Sequence, residues 1–313
     1  MPARVAFFGS PEFAVPSLEA ALAHFDVALV VTQPPRPVGR GQRVERTPVH
    51  RVAEARGLPI VTYVRGERAA LDARLSDLRL DVLVVVAFGH ILRPATLAAA
   101  PRGAVNVHAS LLPRWRGVAP IERAILAGDR ITGTSLMVLD EGVDTGPVLA
   151  RQAIDIGADD TRVTLTARLA HAGADLLATH LGDYVRGALA PLPQPETGAT
   201  YAPRLAKEEG SIDWRRSAVE LWNQVRGLAE WPGAYTTAGG ALLKVHAARP
   251  VLSAAVAPPG TIVEADARSG VRVACGAGSL VLDVVQMAGK RRVAATALAA
   301  GRLLRPGLVL GSP

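Results

Sequence analysis

The chain contains one cysteine, Cys275. That excludes an intramolecular disulfide and a cysteine-built metal cluster, and leaves the thiol to pack as a small apolar side chain. No run approaches 18 uninterrupted apolar residues, so no membrane-spanning helix is expected. The N-terminus, MPARVAFFGS, enters a strand directly and lacks the charged, apolar and small-residue succession of a secretory signal. A cytoplasmic protein is therefore expected. The turn after the first strand reads GSPEF and not GxGxxG, which removes the main support for dinucleotide binding. No HExxH or similar histidine spacing occurs, so no metal is expected. Lysine is scarce, three of 35 basic residues; genome composition could produce that bias, so it says little about phosphate recognition.

At 313 residues, with 49% hydrophobic and 20% charged content, the chain can bury a sizeable core and divide into two domains. The formal net charge of +7 favours a polyanionic partner. Its placement is uneven. After residue 206 there are 13 Lys and Arg against 8 Asp and Glu, whereas 22 against 20 precede it.

Short apolar runs at residues 4–9, 27–31, 81–87, 104–108, 132–139 and 148–156 alternate with amphipathic patterns. The run DVLVVVA, residues 81–87, is suited to a central parallel strand buried on both faces. A long helical pattern covers residues 161–188. This predicts a Rossmann-like, open, mainly parallel sheet in an α/β catalytic domain over residues 1–189. Four prolines, Pro191, Pro193, Pro195 and Pro203, mark the clearest linker, placed at 190–205. Over 206–313, a helix at 217–228 precedes five short strand-like runs, the pattern of a small OB-like β-barrel domain. Between the second strand and the next helix, residues 33–48 (QPPRPVGRGQRVERTP) are too long for an ordinary βα connection. The sharper reading of this segment is a basic arm, with Arg36, Arg40, Arg43 and Arg46 set to fold onto a phosphate-bearing substrate; the plainer one is a solvated surface loop.

The most informative stretch is GAVNVHASLLPRWRGVAPI, residues 103–121. It starts as a strand, so Asn106 and His108, two apart, share one face near the strand's end, where α/β sheets bind ligands. The following loop combines Leu111, Leu112 and Trp115 with Arg114 and Arg116. Downstream, LDEGVDTGPVL holds Asp144 between two glycines that permit a sharp turn.

These segments, together with the arm TQPPRPVGRGQR, resemble the methionyl-tRNA formyltransferase family. The most specific part is SLLPRWRG followed about 30 residues later by DTG. The arm carries Pro35 where the family usually has Asp, and Ala109 and Val118 stand where Gly and Ala are common. The resemblance implies formyl transfer from 10-formyltetrahydrofolate, as co-substrate, to the amino group of Met on initiator tRNA, by a protein expected to be a monomer. It further implies that Asn106, His108 and Asp144 are catalytic, that Ser110, Leu111, Leu112 and Pro113 contribute to the folate site, and that Arg40, with Arg36 and Arg43, lies on the tRNA-reading arm; the C-terminal domain would also bind tRNA.

Formyl transfer needs an oxyanion stabilised, an amine proton accepted and the folate nitrogen protonated as it leaves. Asn106 offers an uncharged amide donor, His108 a second donor, and Asp144 a proton acceptor. Two alternatives remain open at this point. One is a folate-dependent formyltransferase or hydrolase acting on another amine, such as a nucleotide sugar; the other is a non-catalytic RNA-binding protein.

Overall fold

A strand can be apolar along its whole length only where both of its faces are covered, and residues Val82–Val86 meet that condition, all five being buried. In the computed structural model, which describes residues 2–38, 41–253, 256–266, 268 and 270–311, this strand is the middle one of a seven-stranded sheet. We number the strands of that sheet β1 (Arg4–Gly9), β2 (Asp26–Thr32), β3 (Ile60–Thr62), β4 (Val82–Val86), β5 (Ala104–His108), β6 (Ile131–Val138) and β7 (Val148–Asp155). Their order is β7-β6-β5-β4-β1-β2-β3. The first five in sequence pair in parallel, while β6 pairs antiparallel with both of its neighbours, β5 and β7.

The helices are α1 (Val15–His24), α2 (Pro48–Ala55), α3 (Arg68–Asp77), α4 (Pro94–Leu97), α5 (Pro120–Leu126), α6 (Arg162–Arg186), α7 (Ala218–Gly227) and α8 (Ala295–Ala300). Strand alternation separates two cores across the sheet. On β5, Val105 and Val107 join the cluster that includes Leu18 of α1 and Leu177 and Leu181 of α6. Ala104 joins the opposite cluster, with Leu71 and Leu75 of α3. A Cβ at Gly173 of α6 would stand 2.4 Å from Val107 Cγ1, so the close seating of this helix depends on that glycine. Asn106 and His108 therefore emerge on the face away from α6.

The chain divides into two units. The first comprises residues up to Pro120, Ile131–Asp155 and Thr166–Ala202; the second takes Ile121–Arg130, Ile156–Leu165 and the chain from Pro203. The Pro-rich segment before Pro203, read from sequence as a linker, thus belongs to the first unit up to Ala202. Leu192 exchanges backbone hydrogen bonds with Val148 in both directions, and Tyr201–Ala202 pairs in parallel with Arg116–Gly117.

The second unit contains an antiparallel sheet with β8 (Ala234–Ala238), β9 (Ala241–Val251), β10 (Ile262–Asp266), β11 (Gly270–Ala274) and β12 (Ser279–Met287), ordered β8-β9-β12-β11-β10, and β13 (Val293–Ala294) attached to β12. Its core gathers Trp214, Leu221, Val225, Leu243, Val273 and Leu282. Helix α7 begins at a capping box, in which Ser217 and Glu220 satisfy each other's backbone N–H groups. Register shifts near Ala247 let β9 bend and run on for 11 residues, longer than the short strands expected from sequence. Among the described residues, no helix is long and apolar enough to cross a membrane.

Candidate active site

On β5, Asn106 pairs with Met137 and His108 with Ser135 of β6. Because β6 is antiparallel to β5, the loop after β6 returns along β5, and Asp144 reaches both side chains. Asn106 Nδ2 donates to Asp144 Oδ1 at 3.4 Å. His108 Nδ1 lies 3.6 Å from Asp144 Oδ2, beyond a direct hydrogen bond. All three residues thus meet over the face of β5, a more inward position than the strand end suggested by sequence. His108 is 6% exposed and the Asp144 side chain 15%, so both are held largely out of water.

The histidine's orientation is set from the other side of the ring. His108 Nε2 is 2.9 Å from the Trp115 carbonyl. A carbonyl only accepts, so Nε2 carries the proton of the neutral ring, and Nδ1 is left facing Asp144. Trp115 holds that carbonyl in place at φ +61, with its own N–H donating to Thr200 Oγ1 at 2.9 Å.

Asp144 also adopts a left-handed backbone, φ +54. Its Oδ2 accepts from the Gly117 N–H at 2.9 Å. Gln194 Nε2 donates to the carbonyls of Asp144 and Gly146, at 2.9 and 2.7 Å. Within the loop, Thr145 donates to Asp140, and a Cβ on Gly146 would fall 2.0 Å from the Val138 carbonyl oxygen. Asp140 thus caps the loop.

The SLLP segment is divided in its roles. Ser110 is fully buried and donates to the Arg114 carbonyl at 2.7 Å. Leu112 is buried against Met137 and Val148, its N–H donating to Ser135 Oγ and its carbonyl accepting from Arg151. Leu111 and Pro113 keep part of their surface open. The Arg114 guanidinium lies over the Trp115 ring, 4.3 Å from its centroid.

Arg116 has no role assignable from sequence, yet among the described residues it is the largest fully buried side chain, 1% exposed. It donates to Gln194 Oε1 at 3.1 Å and pairs with Glu196 at 3.2 Å. Burial by itself would lower its pKa; the hydrogen bonds to Glu196 and Tyr201 outweigh that and hold it above the ordinary value. Sequence reading missed Gln194, Glu196 and Thr200 because Pro-rich composition is the strongest signal in their segment and carries no periodicity.

The basic arm is more ordered than a loop. Arg36–Val38 and Arg43–Glu45 form a small antiparallel ribbon, with Arg36 opposite Glu45 and Val38 opposite Arg43. Arg36 and Arg43 are exposed, and Arg46 pairs with Glu54. Arg40 lies outside the described residues. In the second unit Lys290, Arg291 and Arg292 occupy an exposed turn, Arg292 reaching Glu230 at 3.5 Å.

Comparison with known proteins matches the formyl transferase profile to residues 3–181 and the formyl transferase C-terminal domain profile to residues 204–303. The methionyl-tRNA formyltransferase of Myxococcus xanthus (strain DK1622) is 45% identical over 304 residues, covering 97% of this chain and 96% of its own. That of Stenotrophomonas maltophilia (strain K279a) is 46% identical over 307 residues, covering 97% and 99%. Among solved structures, an N-formyltransferase from Helicobacter canadensis, in complex with folinic acid and dTDP-3-aminofucose, shares the fold with a TM-score of 0.69 at 18% identity, over 92% of this chain and 100% of that one. The chain belongs to the formyl transferase family, and within it to the methionyl-tRNA formyltransferases.

Proposed function

We propose that the protein transfers the formyl group of 10-formyltetrahydrofolate to the free amino group of the methionyl moiety of initiator Met-tRNA, acting in the cytoplasm as a monomer. The observation that carries the chemistry is the convergence of Asn106, His108 and Asp144 on one largely buried point. The acceptor follows from the relatives that match both units along nearly their full length.

The reaction is attack by a neutral amine on the formyl carbon, giving an oxyanion and a positively charged nitrogen. Asn106 Nδ2 supplies a neutral donor for the oxyanion that does not titrate. With Nε2 committed to Trp115, His108 acts through Nδ1: once protonated there, it is a second and stronger donor to the same oxygen. Asp144 Oδ2 stands next to that nitrogen and receives the amine proton, directly or through a water. The proton is then available for the departing folate nitrogen. Burial strengthens each of these interactions relative to water. No covalent enzyme intermediate is needed, and Ser110, whose hydroxyl is spent on the Arg114 carbonyl, is not a nucleophile.

For the folate donor, the partly exposed Leu111 and Pro113 offer apolar contact, while Ser110 and Leu112 hold the segment's shape. For the acceptor, Arg36 and Arg43 on the ribbon, with Arg40 between them in sequence, meet backbone phosphates, and the basic second unit adds to the attraction.

The test is steady-state formylation of Met-charged initiator tRNA. His108→Ala and Asp144→Asn should lower kcat by orders of magnitude with unaltered thermal unfolding. Arg36→Ala and Arg43→Ala should raise the KM for tRNA and each flatten its logarithmic salt dependence by about one. Near-normal kcat in His108→Ala would remove the site from the reaction.

A further inference from the structure

The Asp144 backbone sits in the left-handed region, at φ +54. Aspartate enters that region more readily than most L residues but less freely than glycine, so the contacts that hold the backbone there matter. The loop's own contacts involve Asp140, Gly142 and Thr145; the carbonyls of residues 144 and 146 are held by something else. Both point at the amide nitrogen of Gln194, at 2.9 and 2.7 Å. That nitrogen has two hydrogens and both are used.

The amide could only do this in one orientation, and Arg116 selects it. The Arg116 Nε donates to Gln194 Oε1 at 3.1 Å. A guanidinium cannot accept and a backbone carbonyl cannot donate, so turning the amide over would lose all three bonds. Arg116 is itself immobilised by burial, and its backbone N–H donates to the Thr200 carbonyl at 2.8 Å. The segment bearing Gln194 is fixed as well. Pro193 and Pro195 flank the residue and restrict its backbone, and Leu192 is bonded to Val148 on β7.

From this arrangement we propose that Gln194 is a positioning residue for formyl transfer. It holds the backbone of the Asp144 loop so that the carboxylate stays beside His108 Nδ1 and on the Gly117 N–H, and Arg116 fixes which end of its amide faces the loop. The proposal rests on Asp144 acting in the reaction. It makes the Pro-rich segment part of the active site.

Gln194→Glu is the discriminating variant. It keeps an oxygen for Arg116 but turns a second oxygen towards two carbonyls that need a donor. Measured with 10-formyltetrahydrofolate and Met-charged initiator tRNA, it should lose roughly 10- to 100-fold in kcat, the scale of a small misplacement of a reacting group, with both KM values little changed. A residue that merely supports Arg116 would tolerate this substitution, so near-normal kcat would overturn the proposal. The second measurement is a cycle with Asp144→Asn. Once Asp144 is disabled, Gln194→Glu should have little further effect on kcat. A loss by the same factor in both backgrounds, as from partial unfolding, would also overturn it. An unchanged kcat in Asp144→Asn alone would instead overturn the assignment of Asp144, and the positioning role with it.

Discussion

Gly117 joins the loop after β5 to the segment at Tyr201–Ala202, and adding one methyl group there tests how tightly the site is built. Its φ is +118, a conformation that an L side chain occupies at a cost of about 1–3 kcal/mol. The new Cβ would also stand 2.9 Å from the Ala202 carbonyl oxygen. Backbone atoms cannot swing aside as a side chain would, so overpacking adds about another 1–3 kcal/mol. Together these predict a loss of about 2–6 kcal/mol for Gly117→Ala, and a melting temperature lower by about 3–9 °C on the scaling for a chain of this size. The displaced backbone also carries the N–H that donates 2.9 Å to Asp144 Oδ2. A hydrogen bond to a charged group contributes about 1.5–3 kcal/mol, which corresponds to a fall in kcat of roughly 10- to 100-fold. Circular dichroism during heating gives the first quantity, and formylation at a temperature where the variant is folded gives the second. A variant with unchanged melting temperature and unchanged kcat would refute both the steric argument and the role of this amide.

Leu112→Ala, which empties space between Met137 and Val148, should cost about 2–5 kcal/mol in denaturant unfolding. In the second unit, Glu209 is held below the ordinary carboxylate range chiefly by its hydrogen bond with Arg123, Glu220 by Ser217, and Asp213 is lowered to about 2 by Arg215. Depressed native values mean that this stabilisation is full above the ordinary carboxylate pKa and is lost as pH falls towards 2; Glu209→Gln should therefore narrow the stability difference between pH 7 and pH 3. Burial pushes the Cys275 thiol up to about 11, so iodoacetamide at pH 8 should label it only after unfolding, as read by intact mass.

The parts of this molecule legible in sequence are those in which one local pattern decides the outcome. The β-branched run at residues 81–87 suits a strand covered on both faces, and its residues Val82–Val86 are the centre of the sheet. The helix expected at 217–228 is α7, opened by the Ser217 and Glu220 capping box, because helix starts are local chemistry. Asn106 and His108 share a face by strand period alone. The position of Asp144 was not available in this way, since the antiparallel return of β6 is a tertiary choice. Arg116 and Gln194 were hidden for a related reason. An arginine in a loop and a glutamine among prolines look solvated until the chain brings residues 78 apart in sequence within 3.1 Å. The Pro-rich segment looked like a spacer because stiffness, the property that composition reveals, serves a docked strand as well as a linker.

Acceptor choice tests the account most directly. Purified protein is given 10-formyltetrahydrofolate with Met-charged initiator tRNA, Met-charged elongator tRNA, or a nucleotide-linked amino sugar, and the rate of formyl transfer to each is measured. The account predicts rapid formylation of the initiator Met-tRNA, little of the elongator and none of the amino sugar, with the initiator rate abolished in His108→Ala. Efficient formylation of the amino sugar with Met-tRNA left unmodified would contradict it.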